Sequence, residues 1–145
     1  MAEGAGTTIH KIVVVLNKKI EVPRLINACA HITACLAATV SEEERKNMLF
    51  VEYVDADGGK HPISALSLVV LKARNSNQIR KVRNEAIGMQ LPFVDFTETM
   101  TQATYAEQME RTKEVKETDL DYWGIGLFGK KVTVDSITGK LSLWR

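Results

Sequence analysis

Residues 11–16 read Lys-Ile-Val-Val-Val-Leu, a run of β-branched side chains with no polar alternation after the first position. A strand with one wet face alternates apolar and polar residues, so an unbroken run asks for cover on both faces. Pro23 follows closely and suits the first turn of a helix, where its missing N–H costs nothing. From there to residue 38 the chain is rich in Ala, Leu, Ile and Cys. A buried strand that feeds directly into an apolar helix opens a layered α/β fold. The expected architecture is three layers: a small mixed β-sheet with helices on both faces.

The rest of the chain fits that plan. Ser41 with Glu44 three residues on matches a capping box and predicts a short helical turn. Residues 49–54 predict a second strand, Asp57-Gly58-Gly59 a turn, and residues 65–72 a third strand. Residues 75–90 predict a helix whose Ile79, Val82, Ala86 and Met89 face the sheet. Pro92 stops it, and residues 93–96 predict a fourth strand. Residues 101–116 predict a third helix with Tyr105, Ala106 and Met109 on its buried side. The end of the chain predicts short hairpin-like strands at 124–128, 132–134 and 141–144, with residues 135–140 as the turn between the last two. Residues 1–8 read as a frayed, disordered tail and residues 9–145 as one domain, with no linker or internal repeat.

Composition excludes several classes. With 45% apolar and 26% charged residues the chain is an ordinary globular protein, not a disordered one. A formal charge of +1 leaves no general positive coat for nucleic acid. Its apolar stretches are too short to cross a bilayer, and residues 1–8 carry no signal pattern. Cys29 and Cys35 lie on one expected helix, about 9 Å apart along its axis, too far for a disulfide. Free, buried thiols and a cytoplasmic location follow. The three histidines and two cysteines show no metal-ligand spacing, and no phosphate-binding glycine loop is present. No metal and no cofactor are expected. Asp55-Ala-Asp57-Gly58-Gly59 resembles the start of a calcium loop, but Leu66 stands where the closing Glu belongs, so a hairpin turn is expected.

Three groups of side chains carry candidate chemistry. Arg24, Asn27 and His31, spaced three and four apart, share one face of the first helix, opposite the apolar stripe of Leu25, Cys29, Ile32 and Leu36. Such a histidine is either a hydrogen-bonded structural residue or a site residue facing a cleft, with Lys18 and Lys19 at its mouth. Asp95, Thr97 and Thr99 fall where the fourth strand ends, the usual place for α/β sites. Asp95 either orients a water or hydroxyl for attack on a carbonyl or caps the next helix together with Thr97. Arg74, Arg80, Lys81 and Arg83 read as a solvated helix face, with phosphate contact the lesser alternative.

Element order and three local patterns resemble the type II peptidyl-tRNA hydrolases. These are the Val-rich strand leading to the helix with Cys29-Ala30-His31, the Asp95-to-Thr99 spacing, and the closing Asp135-Ser-Ile-Thr-Gly-Lys-Leu-Ser-Leu143 preceded by Ile125-Gly126. They bracket residues 9–144. The sequence departs from that pattern at Arg24, where the family has lysine, at Ala28, where it has glutamine, and at Thr97 and Asp121. It also has an added helical segment between Thr99 and Trp123. This combination is most similar to a bacterial branch of that superfamily, the domain of unknown function 2000.

The resemblance implies a type II peptidyl-tRNA hydrolase-like fold, a homodimer and a partly rebuilt site. Two functions are expected to compete. One is a binding module whose cleft takes a small molecule or a partner. The other is an esterase-like hydrolase of peptidyl-tRNA or a related ester. In the second, His31, Asp95 and Thr99 are catalytic, with Lys19, Arg24 and Asn27 holding substrate. The expected partners are thus a small-molecule or tRNA ligand and a second copy, with no membrane.

Overall fold

The computed structural model describes residues 9–145; the tail expected at residues 1–8 lies outside them. Strand β1 (His10–Asn17) runs at the centre of a five-stranded sheet. It pairs in parallel with β4 (Ser67–Ala73) and antiparallel with β6 (Tyr122–Lys130). Beyond β6 lies β5 (Phe93–Thr97), and beyond β4 the two-residue β7 (Ser142–Leu143), both antiparallel to their neighbours. The order is therefore β5-β6-β1-β4-β7, a mixed sheet.

The unbroken apolar run of β1 is covered on both sides. Ile12, Val14 and Leu16 pack beneath α1 (Val22–Thr39) through Leu25, Ala28, Ile32 and Leu36. Val13 and Val15 belong to the opposite half-core, with Ile79, Val82 and Ala86 of α3 (Ser76–Gly88) and Val134 of α5 (Lys131–Thr138). The period-2 alternation of a strand thus divides one sequence run between two cores.

Two glycines of β6 set how closely α1 approaches. A Cβ at Gly126 would stand 2.5 Å from Cγ2 of Ile32, and one at Gly124 would stand 2.8 Å from Cδ2 of Leu16. The Ile125-Gly126 pair therefore has a packing reason on this face of the sheet.

Outside the sheet, α2 (Glu42–Arg45) starts at Ser41, whose hydroxyl accepts the Glu44 N–H as the capping box predicts. A separate hairpin pairs β2 (Phe50–Val54) with β3 (Lys60–Ser64). Strand β3 is not expected from the sequence, because Pro62 weakens its strand signal. Asp55 closes the turn by accepting N–H bonds from Asp57 and Gly59 and pairing with His61 Nε2 at 2.8 Å. The calcium-like oxygens are thus occupied by the turn itself.

Four further expectations are corrected. Residues 131–138 are helix α5, not a strand and a turn. The β-branched Val-Thr-Val stretch mimics a strand, but Val134 and Thr138, four apart, are the residues buried against the sheet, and Lys11 holds Asp135 at 2.8 Å. Helix α4 (Tyr105–Lys113) is shorter than expected and inverted, with Tyr105 78% exposed and Met109 59% exposed. Its inward face is polar: Gln108, Arg111 and Thr112 bond residues 99, 101 and 102. Met89 lies past the end of α3 and is exposed. Cys35 is exposed and Cys29 half-buried, so the thiols are free but not both buried. Burial pushes the Cys29 thiol pKa up, which makes it less reactive. Among the described residues, no helix is long and apolar enough to cross a membrane.

Candidate functional site

Helix α1 buries one stripe and leaves Arg24, Asn27 and His31 exposed on the other, as their spacing predicts. These three line a cleft of ≈ 530 Å³ with Trp123 of β6 and with Met100, Thr101, Gln102 and Gln108. The latter four come from the segment between Thr99 and Trp123.

Aromatic rings build one side of the cleft. His31 stacks on Phe96 at 5.8 Å between centroids, and Phe96 meets Trp123 at 5.9 Å. The Arg24 guanidinium lies over the Trp123 ring at 5.8 Å, a cation–π geometry. Opposite, Gln102 and Ala103 both have left-handed backbones, with φ of 59° and 64°. Non-glycine residues pay for that conformation, and here side chains hold it: Gln108 Nε2 donates to Gln102 O at 2.8 Å, and Arg111 donates to Thr99 O at 3.0 Å and to Thr101 O.

An inner cavity of ≈ 250 Å³ shares Arg24, Thr101, Gln102 and Trp123 with the cleft and adds Glu98 and Arg111. Two of its lining residues carry buried N–H groups with no hydrogen-bond partner among the described residues, Trp123 Nε1 and Arg111 Nε. Trp123 as a whole is only 5% exposed. A buried donor left unmade costs about 1–3 kcal/mol, and both N–H groups lie in the packed wall beside the cavity, closed to solvent, with Glu98 the one carboxylate in its lining.

The other expected site residues lie elsewhere. Asp95 is not beside His31. On β5, Val94 and Phe96 pack with the α1 core, whereas Phe93 packs with the α3 core. Asp95, between Val94 and Phe96, therefore points to the α3 side, where its Oδ2 accepts from Arg83 Nε at 3.0 Å. The sheet separates Asp95 from His31, so these two cannot form one proton relay.

Asp95 joins a closed network instead. Arg83 also approaches Glu117 at 3.9 Å, Arg80 pairs with Glu117 at 3.0 Å, and the Tyr122 hydroxyl donates to Glu117 at 2.7 Å. Arg80 stacks over Tyr122 at 5.1 Å. Burial pushes the Asp95 pKa up, outweighing the lowering by the Arg83 hydrogen bond and charge. The Tyr122 hydrogen bond and the two arginines hold Glu117 below the usual carboxylate range. Burial and the Glu117 bond raise the Tyr122 pKa. The expected solvated arginine face is thus half consumed: Arg80 and Arg83 are structural partners, while Arg74 and Lys81 are exposed as expected.

Thr99 is buried, and its hydroxyl belongs to a chain that runs from Thr97 at 2.7 Å through Thr99 to Thr112 at 2.9 Å, ending on the Gln108 carbonyl. It supports the wall of the cleft and does not line it. Thr97 stands at the N-cap of the 3-10 turn Glu98–Met100, but its side chain makes no capping bond there. Lys19 is exposed in the loop after β1, with its backbone N–H on Asn17 Oδ1, and does not line the cleft. Among the described residues no group of three or more His, Cys, Asp or Glu gathers as a metal site.

Sequence reasoning therefore finds the helix side of the cleft and misses Trp123, Gln102, Gln108 and Arg111. Trp123 beside a Gly-Ile-Gly run was the available signal; the fold of the 98–104 segment was not readable from periodicity.

The chain belongs to the family described as Protein of unknown function (DUF2000), whose match covers residues 10–145. No curated protein matches it. Among solved structures it is similar to a protein of unknown function from Agrobacterium tumefaciens, with a TM-score of 0.79 and 19% identity over 94% of this chain and 98% of that one. At that identity the likeness speaks of the fold alone.

Proposed function

We propose that this protein is a binding module whose α1 cleft takes a small molecule with an acidic or acceptor-rich head and an apolar tail. The observation that carries this reading is the set of donors converging on the cleft and its inner cavity. Arg24, Asn27 and His31 come from one helix face and Gln102 and Gln108 from the other side, with the unpaired N–H groups of Trp123 and Arg111 buried in the wall behind them. Donors without acceptors ask for carboxylate, phosphate or carbonyl oxygens. An apolar shelf of ≈ 410 Å³ adjoins the cleft through Met100 and Gln108 and adds Tyr105 and Met109. Methionine and tyrosine surfaces adapt to varied apolar groups.

The type II peptidyl-tRNA hydrolase plan is retained in this reading as the origin of the fold, with the site rebuilt at Arg24, Ala28 and the 98–104 segment. The strand–helix order and the Asp135–Leu143 pattern support it. A cytoplasmic location is likewise proposed, on the two free thiols.

Octanoate and octanol separate head from tail. By Trp fluorescence or calorimetry, octanoate is expected to bind, octanol to bind at least about tenfold more weakly, and Arg24→Ala to remove the preference, a difference of about 1.4 kcal/mol. Equal binding of both compounds, or binding untouched by Arg24→Ala, contradicts the proposed head group. The hydrolase alternative must work without Asp95 on this face. No release of peptide from peptidyl-tRNA is expected, and release that disappears in His31→Ala would restore that alternative.

A further inference from the structure

We infer that the β2–β3 hairpin is a self-association arm, and that two copies of this chain join through the outer edge of β2. The hairpin forms its own two-stranded sheet. Every residue of β2 is exposed, as is all of β3 before Ser64. Phe50, Val51, Tyr53, Val54 and Ile63 are each between 40% and 63% exposed. A two-stranded hairpin alone in water is marginal, and this one presents large side chains on both faces.

The area fits a partner of the same kind. At 150–250 Å² for each large aromatic, and somewhat less for Val and Ile, the five residues expose roughly 500 Å². A standard interface covers about 800 Å² per partner, of which some 56–65% is apolar. The arm alone thus supplies about the apolar share of one half-interface.

Backbone polarity then selects the edge. Asp55 N–H bonds Gly59 O and Ala65 N–H bonds Leu49 O, so the pairs 49–65, 51–63, 53–61 and 55–59 carry the ladder. Phe50, Glu52 and Val54 therefore aim their N–H and C=O groups away from β3. Among the described residues, no backbone group bonds them there. On β3 the outward-facing position opposite Glu52 is Pro62, which has no N–H to offer. One edge is blocked and the other is open, apolar and free to pair.

Charge on the pairing strand favours a second copy over a strongly charged partner: Glu52 is the one charged residue of β2, and Lys60 lies 3.8 Å from its carboxylate. A two-fold axis lets one open edge meet its own image, which accounts for the occupant without a second surface.

Light scattering coupled to size-exclusion chromatography tests this on the full chain. The wild type is expected at twice the 16.2 kDa chain mass, dissociating on dilution. Glu52→Pro removes an outward N–H while sparing the ladder bonds, and is expected to be monomeric with unchanged far-UV dichroism. Should Glu52→Pro disturb the hairpin itself, the double variant Phe50→Glu, Val54→Glu, which sets like charges opposite one another across the two-fold axis, is expected to give the same monomer. A wild type that stays monomeric at high concentration, including one that pairs only with another protein, overturns the inference. So does a dimer that survives both variants. Neither result touches the α1 cleft, whose ligand is tested separately.

Discussion

The two faces of the central sheet handle polar side chains in opposite ways. Under α3, Asp95, Glu117, Arg80, Arg83 and Tyr122 answer one another, and each charged group has a partner within 3.0 Å. Beside α1, Arg24, Asn27 and His31 face open space, and the N–H groups of Trp123 and Arg111 are unanswered. The residue types on the first face look more catalytic, with two carboxylates, two arginines and a tyrosine. Their mutual satisfaction is what makes them structural. A perturbed pKa marks a functional candidate only in probability, because structural ion networks shift pKa values too, and Asp95 is such a case. The face beside α1, poorer in carboxylates, is therefore the one proposed to take a ligand.

The largest expected effect breaks the α1 face outright. Ile32 is fully buried against Gly124 and Gly126, and Ile32→Ala is expected to cost about 2–5 kcal/mol, read as a lowered urea midpoint. Next, Gly126→Ala pushes a methyl into Ile32 and is expected to cost about 1–3 kcal/mol. Octanoate affinity per folded molecule should remain close to wild type in Gly126→Ala. A large affinity loss with little loss of stability would instead give Gly126 a role in the site.

These packing effects explain how much of the fold was legible in the sequence. The double-sided burial of β1 follows from its unbroken apolar run, and the polar stripe of α1 follows from three-and-four spacing. Both are local patterns that a single element displays. Helix α5 was not legible because Val132, Thr133 and Val134 have the β-branched character of a strand, and only tertiary burial of Val134 and Thr138 selects the helix. Tyr105 and Met109 were assigned inward because apolar residues usually are; the inward face of α4 is instead held by Arg111, Gln108 and Thr112. For the site, spacing placed Arg24, Asn27 and His31 together. Asp95 and Thr99 looked like their neighbours because sequence proximity to a strand end does not tell which side of the sheet a residue points to.

Smaller effects sharpen the contrast. Arg24→Ala removes an exposed guanidinium and is expected to change stability by no more than about 0.5 kcal/mol, while lowering octanoate affinity about tenfold or more. His31→Ala should act in the same direction but more weakly, since the imidazole stacks on Phe96 and borders the cleft without a charge partner there. Either variant unfolding the protein would return these residues to a structural role.

The smallest effect is expected at Asp95. Asn at that position keeps an oxygen for Arg83 Nε and relieves a buried carboxylate, so stability at neutral pH should change by less than about 1 kcal/mol. The pH dependence is more telling. Because the folded-state pKa of Asp95 is raised, the native protein keeps this proton where the unfolded chain has lost it. That contribution to stability is complete below the ordinary carboxylate value of about 3.9 and is lost as pH rises through the raised value. The wild type should therefore lose stability relative to Asp95→Asn across that window, as seen in urea midpoints measured against pH. A difference that runs the other way would mean Asp95 is stabilised as the carboxylate.

Everything here turns on which face of the sheet binds. Titrating isotope-labelled protein with octanoate and mapping the amide and indole shifts by NMR decides it. Shifts are expected at Asn27, His31, Gln102, Gln108 and the Trp123 indole N–H, with Arg83, Asp95 and Glu117 unmoved. Shifts centred on Arg83, Asp95 and Glu117, with the indole silent, would contradict it.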